Sequence, residues 1–123
     1  LKFPKLMIGI IELGSNWVPA TLMNLDIGSS ALGRFDVTLQ NLSMKPSEFF
    51  RRQVRVAPLH MEDSGWVLKN VGPEILMFNT DYPHPEGGRD PFGAFQRSLD
   101  AAGATSEELD RFYSRNFEEL MGL

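Results

Sequence analysis

Apolar residues in this chain gather into short runs separated by longer stretches with helical spacing. Leu6-Met-Ile-Gly-Ile-Ile11 is the strongest run, rich in β-branched residues and bounded by polar or glycine positions. It predicts a strand, and its two-sided apolarity predicts cover on both faces. Ile75-Leu-Met-Phe78, after Gly72-Pro73, predicts a second buried parallel strand, although so short a run also suits a short helix. Val54-Arg-Val-Ala-Pro-Leu59 is a weaker strand, carried by the alternation of Val54 and Val56.

Helices fill the intervals. Trp17, Val18, Leu22 and Leu25 recur at near-helical spacing, with Pro19 tolerated in the first turn. Gly28-Ser-Ser-Ala-Leu-Gly33 reads as a loop or flexible insertion. A second helix opens near Pro46-Ser47 and buries Phe49 or Phe50. Residues 61–70 form a loop leading into a short helix that stops at Gly72. Asp90-Pro91 has the form of an N-cap and N1 proline, opening a helix that buries Phe92, Phe95 and Leu99 and ends near Gly103. Thr105-Ser-Glu-Glu108 has capping-box spacing and starts the last helix, whose Leu109, Phe112, Tyr113 and Leu120 share a face. This alternation of strands and helices predicts parallel α/β architecture in a single domain over residues 1–123.

Composition narrows the function classes. A net charge of −4, with no basic cluster larger than Arg51-Arg52, argues against nucleic acid as a partner. The absence of cysteine excludes disulfides and thiolate metal sites and is compatible with a cytoplasmic location. No apolar run approaches a membrane span, so no membrane partner is expected.

Candidate chemistry concentrates where the Ile75 run ends. Phe78-Asn-Thr-Asp-Tyr-Pro-His-Pro85 places Asp81 just past a buried strand, ahead of Tyr82 and His84, which Pro83 and Pro85 push toward extended conformations. In α/β folds the carboxyl ends of strands are where ligands bind. Asp81 is either an aimed functional carboxylate or a turn former.

This segment resembles the "W-G-S-D-Y-P-H" string that closes the last barrel strand of amidohydrolase-related metal-dependent hydrolases, the group that includes aminocarboxymuconate semialdehyde decarboxylase. Three more segments agree in order. Residues 1–14 followed by Trp17-Val-Pro19 resemble the sixth strand and loop, "F-P-x-L-x…E-x-G-x-x-W-x-P". Ser47-Glu-Phe-Phe-Arg-Arg-Gln-Val-Arg-Val56 resembles the "P-S-E-Y-F-R-x-Q" entry to the seventh strand, and residues 116–123 resemble the closing "N-A-x-x-L-Y-G-L" helix.

The resemblance implies a (β/α)8 barrel, a fold of about 250 residues. A chain of 123 residues would supply only its C-terminal part, about three β/α units. Its partner would then be the missing N-terminal part of the barrel. The implied parent is a hydrolase using a metal-activated water on a small carboxylate, lactone or amide-like substrate, with zinc the usual ion; this chain alone is expected to bind no metal and to be inactive. The alternatives are a parent that is a non-oxidative decarboxylase, or a non-catalytic α/β segment that self-associates as a homo-oligomer because partial barrels expose sheet edges.

Carried over by residue, Asp81 is implied as metal ligand and proton acceptor. The family's other metal ligands are histidines at positions this chain does not contain. Glu12 stands where decarboxylases carry an acid/base histidine; it is a second catalytic candidate, or else an ion-pair or capping residue. His84, Tyr82 and Trp17 are candidates for substrate contact. His84 equally suits bracing Asp81 or a solvated loop, and for Trp17, the first apolar residue of a helical pattern, the core is preferred. His60, Glu62 and Asp63 lie close enough in sequence for a small metal cluster, but an ordinary polar loop is preferred. Gly14-Ser-Asn16 lacks the G-x-G-x-x-G spacing of a dinucleotide site, and Ser15 has no recognisable nucleophile partners.

Overall fold

A parallel pair of strands organises the molecule. β1 (Ile8–Ile10) pairs with β2 (Val54–Val56) in the register Ile8–Val54, Gly9–Arg55, Ile10–Val56. The structure is a computed structural model and describes residues 3–123. Leu1 and Lys2, the first residues of the segment resembling a sixth strand, lie outside it.

The Ile75 run extends the sheet on the other side of β2, but by one parallel bridge, Val56–Leu76, rather than a full strand. Val56 N–H donates to Ile75 O at 2.8 Å and Met77 N–H to Val56 O at 3.0 Å. Past Met77 the chain leaves the sheet, because Phe78 N–H donates to the carbonyl of Phe112 at 2.8 Å. That carbonyl belongs to a π-wound turn, Arg111–Arg115.

Seven α-helices accompany the sheet among the described residues. α1 (Val18–Leu32) buries Val18 and Leu22 and runs through the segment expected to be a loop. Gly33 keeps a right-handed φ of −52°, opening a 3-10 turn (Gly33–Phe35) ahead of α2 (Val37–Gln40). An interior glycine costs a helix only about 1 kcal/mol, and no proline interrupts Gly28–Gly33, so an established helix propagates.

α3 (Pro46–Gln53) opens where expected, with the Glu48 carboxylate accepting from Lys45 N–H, and both Phe49 and Phe50 are half-buried. α4 (Ser64–Val71) is capped by Asp63 and ends at Gly72, whose φ of 96° suits glycine. α5 (Pro91–Ala101) is capped by Asp90 and buries Phe95 and Leu99, while Phe92 turns outward. α6 (Ser106–Asp110) carries the expected box, in which Thr105 Oγ accepts from Glu108 N–H and Glu108 accepts from Thr105 N–H. α7 (Asn116–Met121) follows the π turn.

The core joins Val54, Val56 and Leu76 of the sheet to Val18 and Leu22 of α1, Val67, Leu68 and Val71 of α4, Phe95 and Leu99 of α5, and Phe112. Gly9 and Arg55, being register partners, project from the other face. There α7 packs: a Cβ on Gly9 would meet Leu120 at 2.9 Å, which accounts for a glycine inside a strand. The expectation of cover on both faces of the Leu6–Ile11 run is not met, since Leu6, Ile8 and Ile11 are 54%, 45% and 64% exposed. β1 is an edge strand with β2 as its one sheet neighbour among the described residues.

Candidate functional site

Two loops at the carboxyl ends of the strands bring three chemically active side chains together. Glu12 follows β1, and Asp81 and His84 follow the Ile75 run. His84 Nδ1 lies 3.0 Å from Asp81 Oδ1 and 3.5 Å from Glu12 Oε1. One ligand-type atom from each of the three falls within 4.8 Å of the others.

Backbone geometry at both carboxylates is unusual. Glu12 has φ 58° and Asp81 φ 54°, the only non-glycine residues with positive φ among those described. A left-handed conformation costs a residue with a Cβ on the order of 1 kcal/mol or more, and such positions cluster at functional sites. Asp81 is the sheltered member, its side chain 15% exposed, whereas the Glu12 and His84 side chains are 61% and 47% exposed.

The Asp81 loop is tied down along its length. Asn79 Nδ2 donates to Pro58 O at 2.9 Å, fastening it to the loop after β2. Tyr82 N–H donates to Thr80 Oγ1, His84 N–H to Asp81 O, and Gly87 N–H to His84 O. The Tyr82–Pro83 peptide is cis. The His60 imidazole lies against Gly88, where a Cβ would come within 2.5 Å of Nε2. Behind the loop, the Phe78 ring packs at 5.3 to 6.2 Å from Phe92, Phe95, Phe112 and Tyr113.

The other expected contact residues stand outside the trio. Tyr82 is 88% exposed. Trp17 precedes α1, donates from Nε1 to Gly14 O at 2.9 Å and meets Phe50 edge-on, which makes it part of the core margin. His60, Glu62 and Asp63 do not converge on one point: His60 faces Gly88, Asp63 caps α4, and Glu62 reaches the loop after β1. By sequence Glu62 is an ordinary loop residue; apart from Leu59 N–H, its partners lie 46 and 47 positions away, beyond any local signal.

Two carboxylates and one imidazole are a donor set that suits divalent ions such as zinc. Three protein ligands leave coordination positions open, as catalytic rather than structural sites do. The residues therefore fit a divalent metal.

The fold has a solved counterpart. The crystal structure of an amidohydrolase from Mycobacterium avium subsp. paratuberculosis K-10 is similar to this chain, with TM-score 0.77 and 26% sequence identity. The similarity covers 98% of this chain and 29% of the amidohydrolase, so the chain spans under a third of that protein's length. No protein-family model and no curated protein matches the sequence. No helix among the described residues is long and apolar enough to cross a membrane.

Proposed function

We propose that this chain is the C-terminal portion of an amidohydrolase-like barrel enzyme, in which Asp81, Glu12 and His84 form one wall of a divalent-metal site. The observation that carries this reading is the convergence of the three side chains from two strand ends, with both carboxylates on left-handed backbone. Similarity over nearly the whole chain to a solved amidohydrolase supports it.

Asp81, Glu12 and His84 would hold the ion, which supplies Lewis-acid polarisation and lowers the pKa of water toward neutrality. The sheltered Asp81 carboxylate is the proton acceptor. His84 Nδ1 lies within hydrogen-bond distance of Asp81 Oδ1, and it would exchange that contact for the ion. Glu12 adds negative charge beside the same imidazole nitrogen, 3.5 Å from Nδ1. Hydrolysis of a small carboxylate, lactone or amide-like substrate is favoured over decarboxylation, because a glutamate stands at the position of the decarboxylases' histidine. The remaining ligands would come from the N-terminal part of the barrel, and the isolated chain should turn nothing over.

Calorimetric titration with zinc tests the site. The wild-type chain should take up one equivalent and Asp81→Ala none; equal uptake by both would sink the assignment.

A second reading, self-association, is favoured by the open side of β1. Phe3, Leu6, Ile8, Ile11 and Leu13 are all exposed along or beside it, and an uncovered apolar edge strand is a template for pairing. Multi-angle light scattering that shows a monomer at high concentration would count against this reading.

A further inference from the structure

We propose that Glu62, on the loop after β2, is the positioning residue that holds the Glu12 arm of the site; the assignment rests on the metal-site reading above. The Glu62 carboxylate accepts from Ser15 N–H at 2.8 and 3.0 Å, from Ser15 Oγ at 2.8 Å and from Asn16 N–H at 3.2 Å. It also accepts from Leu59 N–H at 3.0 Å, within its own loop. Both oxygens are thus occupied by donors, in the charge-assisted geometry that makes such bonds stronger than neutral ones. Ser15, the principal partner, is fully buried.

What Glu62 grips is the segment that aims Glu12. The chain leaves β1, turns left-handed at Glu12, turns left-handed again at Gly14 and is caught at Ser15 and Asn16. Gly14, with φ 64°, is required twice over, since a Cβ there would also lie 2.6 Å from Glu62 Oε1. Glu12 itself is exposed and sits in a conformation a free loop would relax. Among the described residues, Glu62 supplies the side-chain hydrogen bonds that hold Ser15 and Asn16, and Glu12 itself meets His84 at 3.5 Å.

The loop after β2 is itself anchored on its other side. Asp63 Oδ1 accepts from Ser98 Oγ at 2.8 Å and from Trp66 N–H, and Ser98 Oγ accepts from Gly65 N–H at 2.9 Å. Pro58 O receives the Asn79 amide from the Asp81 loop. One loop therefore braces both ligand-bearing loops, through Glu62 on one side and Pro58 on the other. Partners bonded directly to a ligand typically set metal affinity by 10- to 100-fold, and Glu62 acts one step further out, on the backbone that carries Glu12.

The test titrates Mn2+, read by water-proton relaxation, into the wild-type chain and the variants Glu62→Ala, Glu62→Gln, Ser98→Ala and Asp81→Ala. Amide exchange at Ser15 and Asn16 is followed by NMR in the metal-free state. Ser98→Ala loosens the same loop without touching the Glu62 contacts. Expected are abolished binding in Asp81→Ala, roughly 10-fold weakening in Glu62→Ala, a smaller loss in Glu62→Gln, and wild-type affinity in Ser98→Ala. Exchange at Ser15 and Asn16 should quicken only in the Glu62 variants. If Asp81→Ala loses the ion while Glu62→Ala keeps it, or Ser98→Ala weakens binding as much as Glu62→Ala, the positioning role is overturned and the site survives. If Asp81→Ala binds as the wild type does, the site and the positioning role fall together. Should Glu62→Ala not fold, Glu62→Gln decides by the same comparison.

Discussion

The Asn116 side chain donates to the carbonyl of Leu76 at 2.7 Å, and its second N–H to that of Pro73, also at 2.7 Å. A fully buried amide on α7 thus closes the backbone at the start of the run that ends in Asp81. Asn116→Ala leaves two carbonyls short of a partner, each worth roughly 1–3 kcal/mol when buried. The expected loss is about 3 kcal/mol, read as a lower urea midpoint at unchanged slope.

Arg55 is 3% exposed, its Nη2 meets Glu119 Oε2 at 2.6 Å, and its Nε has no hydrogen-bond partner among the described residues. Removing the carboxylate strands a buried guanidinium, whereas removing the guanidinium does not leave a buried charge. Glu119→Ala should therefore cost about 2–3 kcal/mol, below the range for fully buried pairs because Glu119 is partly exposed. Arg55→Met should fall within about 1 kcal/mol of the wild type or exceed it. The two denaturation curves side by side check the asymmetry.

Acid should weaken the fold through three carboxylates. Burial alone would raise Glu119, but hydrogen bonds and charge from Arg55 and Arg111 outweigh it and hold the group below its ordinary 4.5. The Lys69 ammonium and the Thr105 N–H do the same for Glu108, also from 4.5. The Ser47 N–H and hydroxyl lower Asp26 from 3.8. A carboxylate lowered on folding adds stability that is full above its unfolded value and is lost as pH falls through the folded one. Stability should thus decline as pH drops below about 4.5, and Glu108→Gln should flatten that decline in a pH series of thermal melts.

Strain at Glu12 predicts a conflict between stability and binding. Glycine at φ 58° removes a penalty on the order of 1 kcal/mol, so Glu12→Gly should melt no lower than the wild type. Its Mn2+ affinity should fall, because the carboxylate is gone. A lower melting point would show that Glu12 is not strained.

Helix packing offers a steric check. Gly65 lets α4 lie against α5, where a Cβ would sit 2.2 Å from Ser98 O and 2.7 Å from the Ala102 Cβ. Backbone cannot yield as a flexible side-chain tip can, so Gly65→Ala should cost about 2–3 kcal/mol by chemical denaturation.

Local chemistry was readable from the sequence by itself. The Thr105–Glu108 box, the Asp90-Pro91 start and the Gly72 stop each depend on residues within one helical turn, and each falls where the sequence places it. Asp81 at the end of the Ile75 run was also readable, because a buried apolar run and two prolines are contiguous features. Tertiary structure decided the rest. Gly28–Gly33 stays helical because propagation from a formed helix outweighs the cost of its glycines, which a window of loop-prone residues cannot reveal. The Ile75 run narrows to one bridge because Phe78 N–H finds Phe112, 34 residues on. Glu12, Asp81 and His84 meet, and Glu62 reaches Ser15, only after parallel pairing aligns the ends of β1, β2 and the Ile75 run. Hydrogen bonds and charge contacts act over a few ångströms of space, and spacing along a chain does not report that distance once the chain has crossed from one strand to the next.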